Sequence, residues 1–135
     1  MTVEASQTPV KILIAEDERD IRELVGFTLT FGGYRVVEAP NGQEAVEKAI
    51  AERPDLIILD VRMPKMTGYQ ACQALKSMEE TRHIPVAFLS AKGQESEVRQ
   101  GMGLGAIAYI LKPFSPPDLL EQISVLLRRM GTLLG

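Results

Sequence analysis

The 135-residue chain has little of several features that mark specialised protein classes. Cys72 is its one cysteine, so no disulfide can form within the chain, which favours a reducing compartment. No apolar run approaches the 18 or so residues of a membrane-spanning helix, and no signal peptide opens the sequence. The net charge of −3 argues against a nucleic-acid-binding face. We therefore expect a cytoplasmic protein that binds neither membrane nor nucleic acid directly.

The composition that remains is that of an ordinary globular domain. Apolar residues make up 45% of the chain and charged residues 24%. At about 150 residues per domain, this length predicts one domain with no room for a second, output-type domain. We predict a flexible tail over residues 1–9, the folded domain over 10–131 and a C-terminal stub over 132–135.

Five short apolar runs alternate with amphipathic segments of helical length. The runs are Val10–Ala15, Tyr34–Glu38, Leu56–Leu59, Val86–Leu89 and Ala106–Leu111. Four of them are almost wholly apolar, as in strands covered on both faces, and the charges in the second indicate an edge strand. The alternation predicts right-handed βαβ units, and hence an α/β protein with a doubly wound parallel sheet.

Start and stop signals delimit several helices. Asn41–Glu44 and Thr67–Gln70 each have the spacing of a capping box, in which two side chains satisfy backbone donors at a helix start. Ser115–Asp118 opens the last helix, with a proline at its first position. Gly131 is predicted to end that helix.

Other residues are assigned to packing rather than to chemistry. Phe27 and Phe31 stand at helical spacing and are predicted to be core residues. Cys72 is interpreted as a small core or half-buried residue rather than a reactive thiol. The helix expected between the fourth and fifth strands is the weakest, because Gly101 and Gly103 each cost up to about 1 kcal/mol relative to alanine.

Polar side chains follow four of the apolar runs. Glu16 and Asp17 follow the first, Asp60 the third, Ser90 the fourth and Lys112 the fifth. In an open parallel sheet, ligands bind at the carboxyl ends of the strands, near the point where strand order reverses. If the order is 2-1-3-4-5, the three carboxylates meet at one edge beside a hydroxyl and an ammonium group. Any one of them can be a helix cap, but five at one edge favour a site.

Three carboxylates in one place need a cation. Two like charges about 4 Å apart repel by roughly 4 kcal/mol at an effective dielectric constant near 20. Mg²⁺ suits a site with few carboxylates that keeps several waters. A carboxylate nucleophile with Mg²⁺, a lysine and a small hydroxyl is also what phosphoryl transfer to a carboxylate requires.

At this point the sequence resembles the response regulator receiver domain of two-component signalling, and in particular its chemotaxis-regulator-like members. The resemblance covers Lys11 to Met130. It depends on four motifs in order: Ile14–Glu18, Leu59–Pro64 with Gly68, Leu89–Ala91, and Tyr109–Phe114. It implies a flavodoxin-like fold, with five parallel strands in the order 2-1-3-4-5 and helices on both faces.

The resemblance also implies roles around the phosphoacceptor. Asp60 would accept a phosphoryl group, in a Mg²⁺-dependent reaction, from a sensor histidine kinase or a phosphotransfer protein. Asp17, Asp60 and the backbone carbonyl of Arg62 would bind the metal, and Glu16 would act through a bound water. Lys112 would contact a phosphoryl oxygen.

The remaining implied roles concern the switch. Ser90 would bond the phosphoryl group, and Ser90 and Tyr109 would move on activation, shifting the face made by the helix before strand five, strand five and the last helix. The Lys112–Pro113 bond is expected to be cis. The chain would be no enzyme beyond its own phosphorylation and dephosphorylation. It would act as a monomer or weak dimer on a downstream output protein or a missing output domain.

The sequence departs from the usual receiver pattern at four positions. Glu16 replaces the commoner aspartate and Ser90 the commoner threonine, which leaves the hydroxyl in place. Ile107 and Ala108 stand where many relatives have two acids. That change puts in doubt a dimer held by ion pairs on the same face.

Three other functions remain open at this stage. A receiver-like scaffold that is never phosphorylated is one. A Mg²⁺-dependent aspartyl-phosphate phosphatase is disfavoured, because Arg62 stands where such enzymes place a general acid. A flavin or nucleotide site of the same topology needs a phosphate loop after strand one, whereas Glu16–Glu18 is acidic.

Overall fold

The computed structural model describes residues 9–90, 99, 102–112 and 114–134. In these ranges the chain alternates between strands and helices: β1 (Lys11–Ala15), α1 (Arg19–Phe31), β2 (Arg35–Ala39), α2 (Gly42–Glu52), β3 (Leu56–Asp60), α3 (Gly68–Ser77), β4 (Val86–Ser90), β5 (Ala108–Leu111) and α4 (Pro116–Leu134). The helix predicted between β4 and β5 falls mainly on residues outside the described ranges, Gly101 among them, so its predicted weakness stays a prediction.

The five strands form one parallel sheet in the order β2-β1-β3-β4-β5, which confirms the predicted topology. β1 lies between β2 and β3, and β3 is the central strand. The register aligns the strand ends, since Ala15 is opposite Leu59, Asp60 opposite Leu89, and Ser90 opposite Leu111. The residues that follow β1, β3, β4 and β5 therefore emerge at a single edge.

Helices cover both faces of the sheet. Alternate strand residues point to opposite sides, so each strand packs against helices on both faces. One face packs against α2 and α3, with Ala45 and Leu75 among the buried helix residues. Cys72 is buried in the same cluster, as predicted. The other face packs against α1 and α4, through residues such as Leu29 and Ile123. This two-sided burial accounts for the almost wholly apolar β1, β3 and β4.

The prediction that Phe27 and Phe31 belong to the core is wrong. Their exposed fractions are 76% and 82%, whereas Val25 and Leu29 are buried. Two residues along a helix correspond to a rotation of about 200°, so the two pairs lie on opposite sides of α1. Both sides carry apolar residues at the same spacing, and contact with the sheet selects Val25 and Leu29.

The two predicted capping boxes differ. At α3, Thr67 accepts from the Gln70 backbone N–H and Gln70 accepts from the Thr67 N–H, so that box is confirmed. At α2, Asn41 Oδ1 accepts from the Glu44 N–H at 2.8 Å. The Glu44 carboxylate, however, contacts the Asn41 side-chain amide rather than its backbone. The bond from the Glu44 N–H caps α2 as predicted. The second bond of a capping box, from the Asn41 backbone N–H to Glu44, is replaced by one from the Asn41 side-chain amide.

The last helix, α4, begins as predicted and ends later. The Asp118 N–H donates to Ser115 Oγ at 3.2 Å. The helix continues through Gly131 to Leu134, so the prediction that Gly131 ends it is wrong. An interior glycine costs about 1 kcal/mol relative to alanine, which a helix of this length tolerates. Among the described helices, none combines the length and apolar content that crossing a bilayer requires.

Candidate functional site

The carboxyl ends of four strands place the five predicted side chains together. Glu16 and Asp17 follow β1, Asp60 and Ser90 are the last residues of β3 and β4, and Lys112 follows β5. A cavity of about 240 Å³ opens at this edge. It is lined by Asp17, Glu18, Asp60, Val61, Arg62, Ser90 and Lys112. Glu16 is fully buried beside the other two carboxylates.

Glu16 is held by the turn that joins β1 to α1. Its backbone N–H donates to the carbonyl of Ala39 at 3.0 Å, which extends the β1–β2 pairing by one residue. The Glu18 N–H donates to Glu16 Oε2 at 3.2 Å, and Arg22 Nη1 donates to the Glu16 carbonyl at 2.9 Å. The carboxylate and the backbone of this turn are therefore both anchored.

Asp60 is held by a loop that folds back beneath it. The Val61 N–H donates to the carbonyl of Leu89, and the Gly68 N–H donates to the carbonyl of Val61 at 2.9 Å. A Cβ at Gly68 would lie 2.2 Å from the Asp60 carbonyl oxygen, so only glycine fits there. The loop leaves the Asp60 carboxylate 7% exposed and facing the cavity.

Lys112 joins two of the carboxylates. Its Nζ lies 2.8 Å from Glu16 Oε1 and 3.4 Å from Asp60 Oδ1, and its side chain is 15% exposed. Its backbone N–H donates to the Ser90 carbonyl at 2.8 Å, which fixes the start of the lysine side chain at the end of β4. Lys112 therefore supplies a positive charge to two of the three carboxylates.

The acidic side chains outnumber the ammonium group in contact with them. Carboxylate oxygens of Glu16, Asp17 and Asp60 all lie within 4.8 Å of one another. Burial raises the pKa of Glu16 to about 7, opposed by its contact with Lys112. Burial also raises the pKa of Asp60, again opposed by Lys112. Burial by itself lowers the pKa of Lys112, but the contacts with both carboxylates raise it overall.

This donor set fits a hard divalent cation. All three side chains offer oxygen, the ligand type that Mg²⁺ prefers, and none offers the sulfur or imidazole typical of zinc. Glu16 Oε1 is buried and close to Lys112, but no hydrogen bond of good geometry from the described residues satisfies it. Asp17 is exposed, which leaves that side of the cavity open to the waters that Mg²⁺ keeps. The cluster can therefore hold a metal ion.

Ser90 and Tyr109 lie on neighbouring strands. Ser90 is 4% exposed and lines the cavity beside Asp60. Tyr109 is half-buried, its hydroxyl is hydrogen-bonded to that of Tyr69, and its ring packs against Phe88. Sequence reasoning singled out Ser90 and Tyr109 but missed Tyr69. The available signal was its place directly after Gly68, at the start of α3.

Two predicted features are less fully described. The Lys112–Pro113 peptide, expected to be cis, lies outside the described residues because Pro113 does. The exposed Arg62 lines the cavity, and the role of its backbone carbonyl as a metal ligand stays a prediction.

A family model described as the response regulator receiver domain matches residues 12–124 of the chain. Among curated proteins, the chain is 42% identical over 120 residues to the phosphate regulon transcriptional regulatory protein PhoB of Pseudomonas aeruginosa, covering 89% of this chain and 52% of that protein. It is 40% identical over 119 residues to the alkaline phosphatase synthesis transcriptional regulatory protein PhoP of Bacillus subtilis, covering 88% and 49%. The chain thus spans about half the length of these relatives.

Solved structures agree on the fold. The chemotaxis protein CheY4 of Vibrio cholerae superposes with a TM-score of 0.83 at 34% identity, covering 87% of this chain and 98% of that one. A CheY-like receiver domain protein from Methanospirillum hungatei superposes with a TM-score of 0.84 at 26% identity, covering 93% and 98%. In each comparison nearly the whole of the solved chain is matched.

Proposed function

Because the chain belongs to the response regulator receiver domain family, we propose that it is a phosphoacceptor switch of a two-component system, with Asp60 as the acceptor. The donor is the phosphohistidine of a sensor histidine kinase or of a phosphotransfer protein. The observation that carries the proposal is the placement of Asp60. Its carboxylate faces the cavity, contacts Lys112 and belongs to a cluster that can hold a metal.

Transfer begins with the ionised carboxylate of Asp60. One of its oxygens attacks the phosphorus of the donor, the phosphorus–nitrogen bond breaks, and the imidazole leaves with the bonding electron pair. A cation in contact with the transferred group lowers the barrier by neutralising charge on its outer oxygens. Lys112 Nζ, already 3.4 Å from Asp60 Oδ1, can follow that oxygen and contact the phosphoryl group.

A divalent metal completes the charge balance. Asp17, Asp60 and the backbone carbonyl of Arg62 would hold Mg²⁺, and Glu16 would act through a bound water. When bound, the ion offsets negative charge on the carboxylates and on the incoming phosphoryl group. The exposed Asp17 leaves room for bound waters, and buried Glu16 holds its place through the Glu18 N–H.

Phosphorylation then changes the face next to β5. The hydroxyl of Ser90 borders the same cavity as Asp60 and can donate to a phosphoryl oxygen. Its movement and that of Tyr109 would shift the surface formed by the segment before β5, β5 itself and α4, as a change in populations. The output is a downstream protein or a further domain. The switch works in the cytoplasm as a monomer or weak dimer, and turns over no substrate beyond its own phosphoryl group.

Labelling with acetyl phosphate tests this function. In the presence of Mg²⁺, the wild-type protein should gain one phosphoryl group by intact-mass spectrometry. Asp60→Asn should gain none while keeping its far-ultraviolet circular dichroism. Asp20→Asn, which removes an exposed carboxylate in the first turn of α1, should be labelled like wild type. Labelling of Asp60→Asn, or none of wild type, would contradict the assignment.

A further inference from the structure

Three aromatic side chains from three different elements meet next to the site. We call Tyr69 of α3, Phe88 of β4 and Tyr109 of β5 the aromatic cluster. The Tyr69 and Phe88 rings meet edge to face, with centroids 5.0 Å apart and planes at 72°. The Phe88 and Tyr109 rings are 5.4 Å apart. The two tyrosine hydroxyls are hydrogen-bonded to each other across the half-buried end of the cluster.

Tyr69 is tied to the backbone of the phosphoacceptor loop. It directly follows Gly68, whose N–H donates to the Val61 carbonyl and where a Cβ would collide with the Asp60 carbonyl oxygen. The Thr67 capping box fixes the direction of the helix that starts there. The position of the Tyr69 ring therefore follows the position of the Asp60 backbone.

The other two rings are tied to the opposite side of the site. Phe88 is fully buried and stands two residues before Ser90 on β4. Tyr109 is opposite Phe88 in the β4–β5 pairing and stands three residues before Lys112. The hydroxyl–hydroxyl bond therefore connects the start of α3 to β5, the strand that Lys112 follows.

We propose that Tyr69 is a positioning residue, whose hydroxyl holds the ring of Tyr109 inward against Phe88. It links the loop of Asp60 to the residue whose position is expected to change on signalling, so its importance for signalling rests on the proposed function. The contact between Phe88 and the Tyr109 ring is not directional and does not by itself fix the orientation of that ring. The hydrogen bond from the Tyr69 hydroxyl is directional and favours the inward orientation of the Tyr109 ring.

The hydroxyl can be removed without removing the ring. Tyr69→Phe keeps the ring that meets Phe88 edge to face and removes the hydroxyl that bonds Tyr109. A hydrogen bond between neutral side chains contributes on the order of 1 kcal/mol, so the ratio of inward to outward Tyr109 should fall about fivefold. A purely packing role for Tyr69 predicts no change in that ratio.

Nuclear magnetic resonance on ring-labelled tyrosine measures the ratio. The chain has three tyrosines, so each ring can be assigned by single substitution. The readout is the cross-relaxation between the rings of residue 109 and Phe88 in the unphosphorylated protein. It should weaken in Tyr69→Phe and stay unchanged in Tyr34→Phe, whose ring packs against the opposite face of the sheet.

A second variant keeps the test decisive if Tyr69→Phe folds poorly. Tyr109→Phe removes the same bond from the other side and, measured with ring-labelled phenylalanine, should weaken the same ring contact. The double variant should show no further loss of the ring contact, because each single substitution already deletes the same hydroxyl–hydroxyl bond. An unchanged ring contact in either single variant, or an equal loss in Tyr34→Phe, would overturn the proposal.

Acetyl phosphate labelling in parallel separates this proposal from the proposed function. Tyr69→Phe leaves the site carboxylates and Lys112 untouched, so it should still be labelled at Asp60. Failure of wild-type labelling would refute the phosphoacceptor role while leaving the ring measurement intact. Normal labelling with an unchanged ring contact would refute the role of Tyr69 alone.

Discussion

Gly68 lies directly against the backbone of Asp60, since a Cβ at position 68 would come within 2.2 Å of the Asp60 carbonyl oxygen. The loop between β3 and α3 must therefore close tightly for the acidic side chain to face the cavity. The N–H of Gly68 closes the loop by donating to the Val61 carbonyl at 2.9 Å. A residue without chemistry of its own thus determines where the proposed phosphoacceptor stands.

Gly68→Ala should destabilise the protein and slow its labelling. The new methyl group meets backbone atoms that cannot rotate away, so either β3 or α3 must shift. Overpacking of this kind costs about 1–3 kcal/mol. Urea unfolding followed by circular dichroism gives the loss in free energy, and acetyl phosphate labelling reports the displaced Asp60.

The matched control is Gly131→Ala on α4, where a Cβ would meet no part of the described chain within 4 Å beyond the neighbouring residues of its own helix. It should be neutral or stabilise the helix by up to about 1 kcal/mol. If Gly68→Ala were as stable as Gly131→Ala, the close approach to Asp60 would not constrain the loop.

Mg²⁺ should raise the melting temperature through the cluster at the end of β1 and β3. A ligand at about 100 times its dissociation constant stabilises the folded state by roughly 2.7 kcal/mol. Asp17→Asn should lose most of this gain, whereas Asp20→Asn, outside the cluster, should keep it. Calorimetry with and without Mg²⁺ measures the shift. Equal shifts in all three proteins would place the metal elsewhere.

Glu16 should make the metal-free protein less stable as pH rises. Its pKa is raised from 4.5 to about 7 because burial disfavours the charged form. The folded state therefore binds the proton more tightly than the unfolded state does, and the resulting stability is fully present below pH 4.5 and lost as pH rises through about 7. Urea unfolding in a chelator, from about pH 5 to about pH 8, measures the slope.

Glu16→Gln removes this titration. It should gain stability relative to wild type as pH rises through that window. Glu47→Gln, which replaces an exposed carboxylate on α2, is the matched control. A stability difference between Glu16→Gln and wild type that stays constant over this pH window would show that Glu16 titrates in its ordinary range.

Lys112→Met should impair phosphorylation more than folding. The ammonium group contacts the proposed acceptor, and loss of a charge-stabilising donor at a reacting group costs about 100-fold in rate. Acetyl phosphate labelling kinetics in saturating Mg²⁺ measure the effect. Lys48→Met removes an ammonium group that bonds the Glu38 carbonyl instead, and should be labelled at the wild-type rate. Equal rates for both variants would remove Lys112 from the transfer step.

The elements that could be predicted from the sequence are those encoded by local pattern. Apolar runs located all five strands, and the charge in Tyr34–Glu38 correctly indicated an edge strand. The fifth run was placed two residues too early, because Ala106 and Ile107 are apolar but lie before β5. Periodicity also left α1 ambiguous, since its exposed Phe27 and its buried Leu29 are equally apolar.

For the candidate site too, some features could be predicted from the sequence and others could not. Placing polar residues after the strands predicted that Asp17, Asp60, Ser90 and Lys112 share one edge, which the sheet order confirms. That placement gave no distances and no account of Tyr69. Tyr69 is 40 residues from Tyr109 along the chain, and no local pattern relates the two.

By itself, the sequence determined the order of elements and the polar residue at each strand end, because these follow from short-range hydrophobic pattern and from the parallel connection rule. The tertiary structure alone decided the contacts among those residues. The approach of Lys112 to Glu16 and Asp60 depends on how the strands pair, and that of Tyr69 to Tyr109 depends on how α3 packs on the sheet. Such distances arise from the packing of the whole core, to which residues far apart in sequence contribute together.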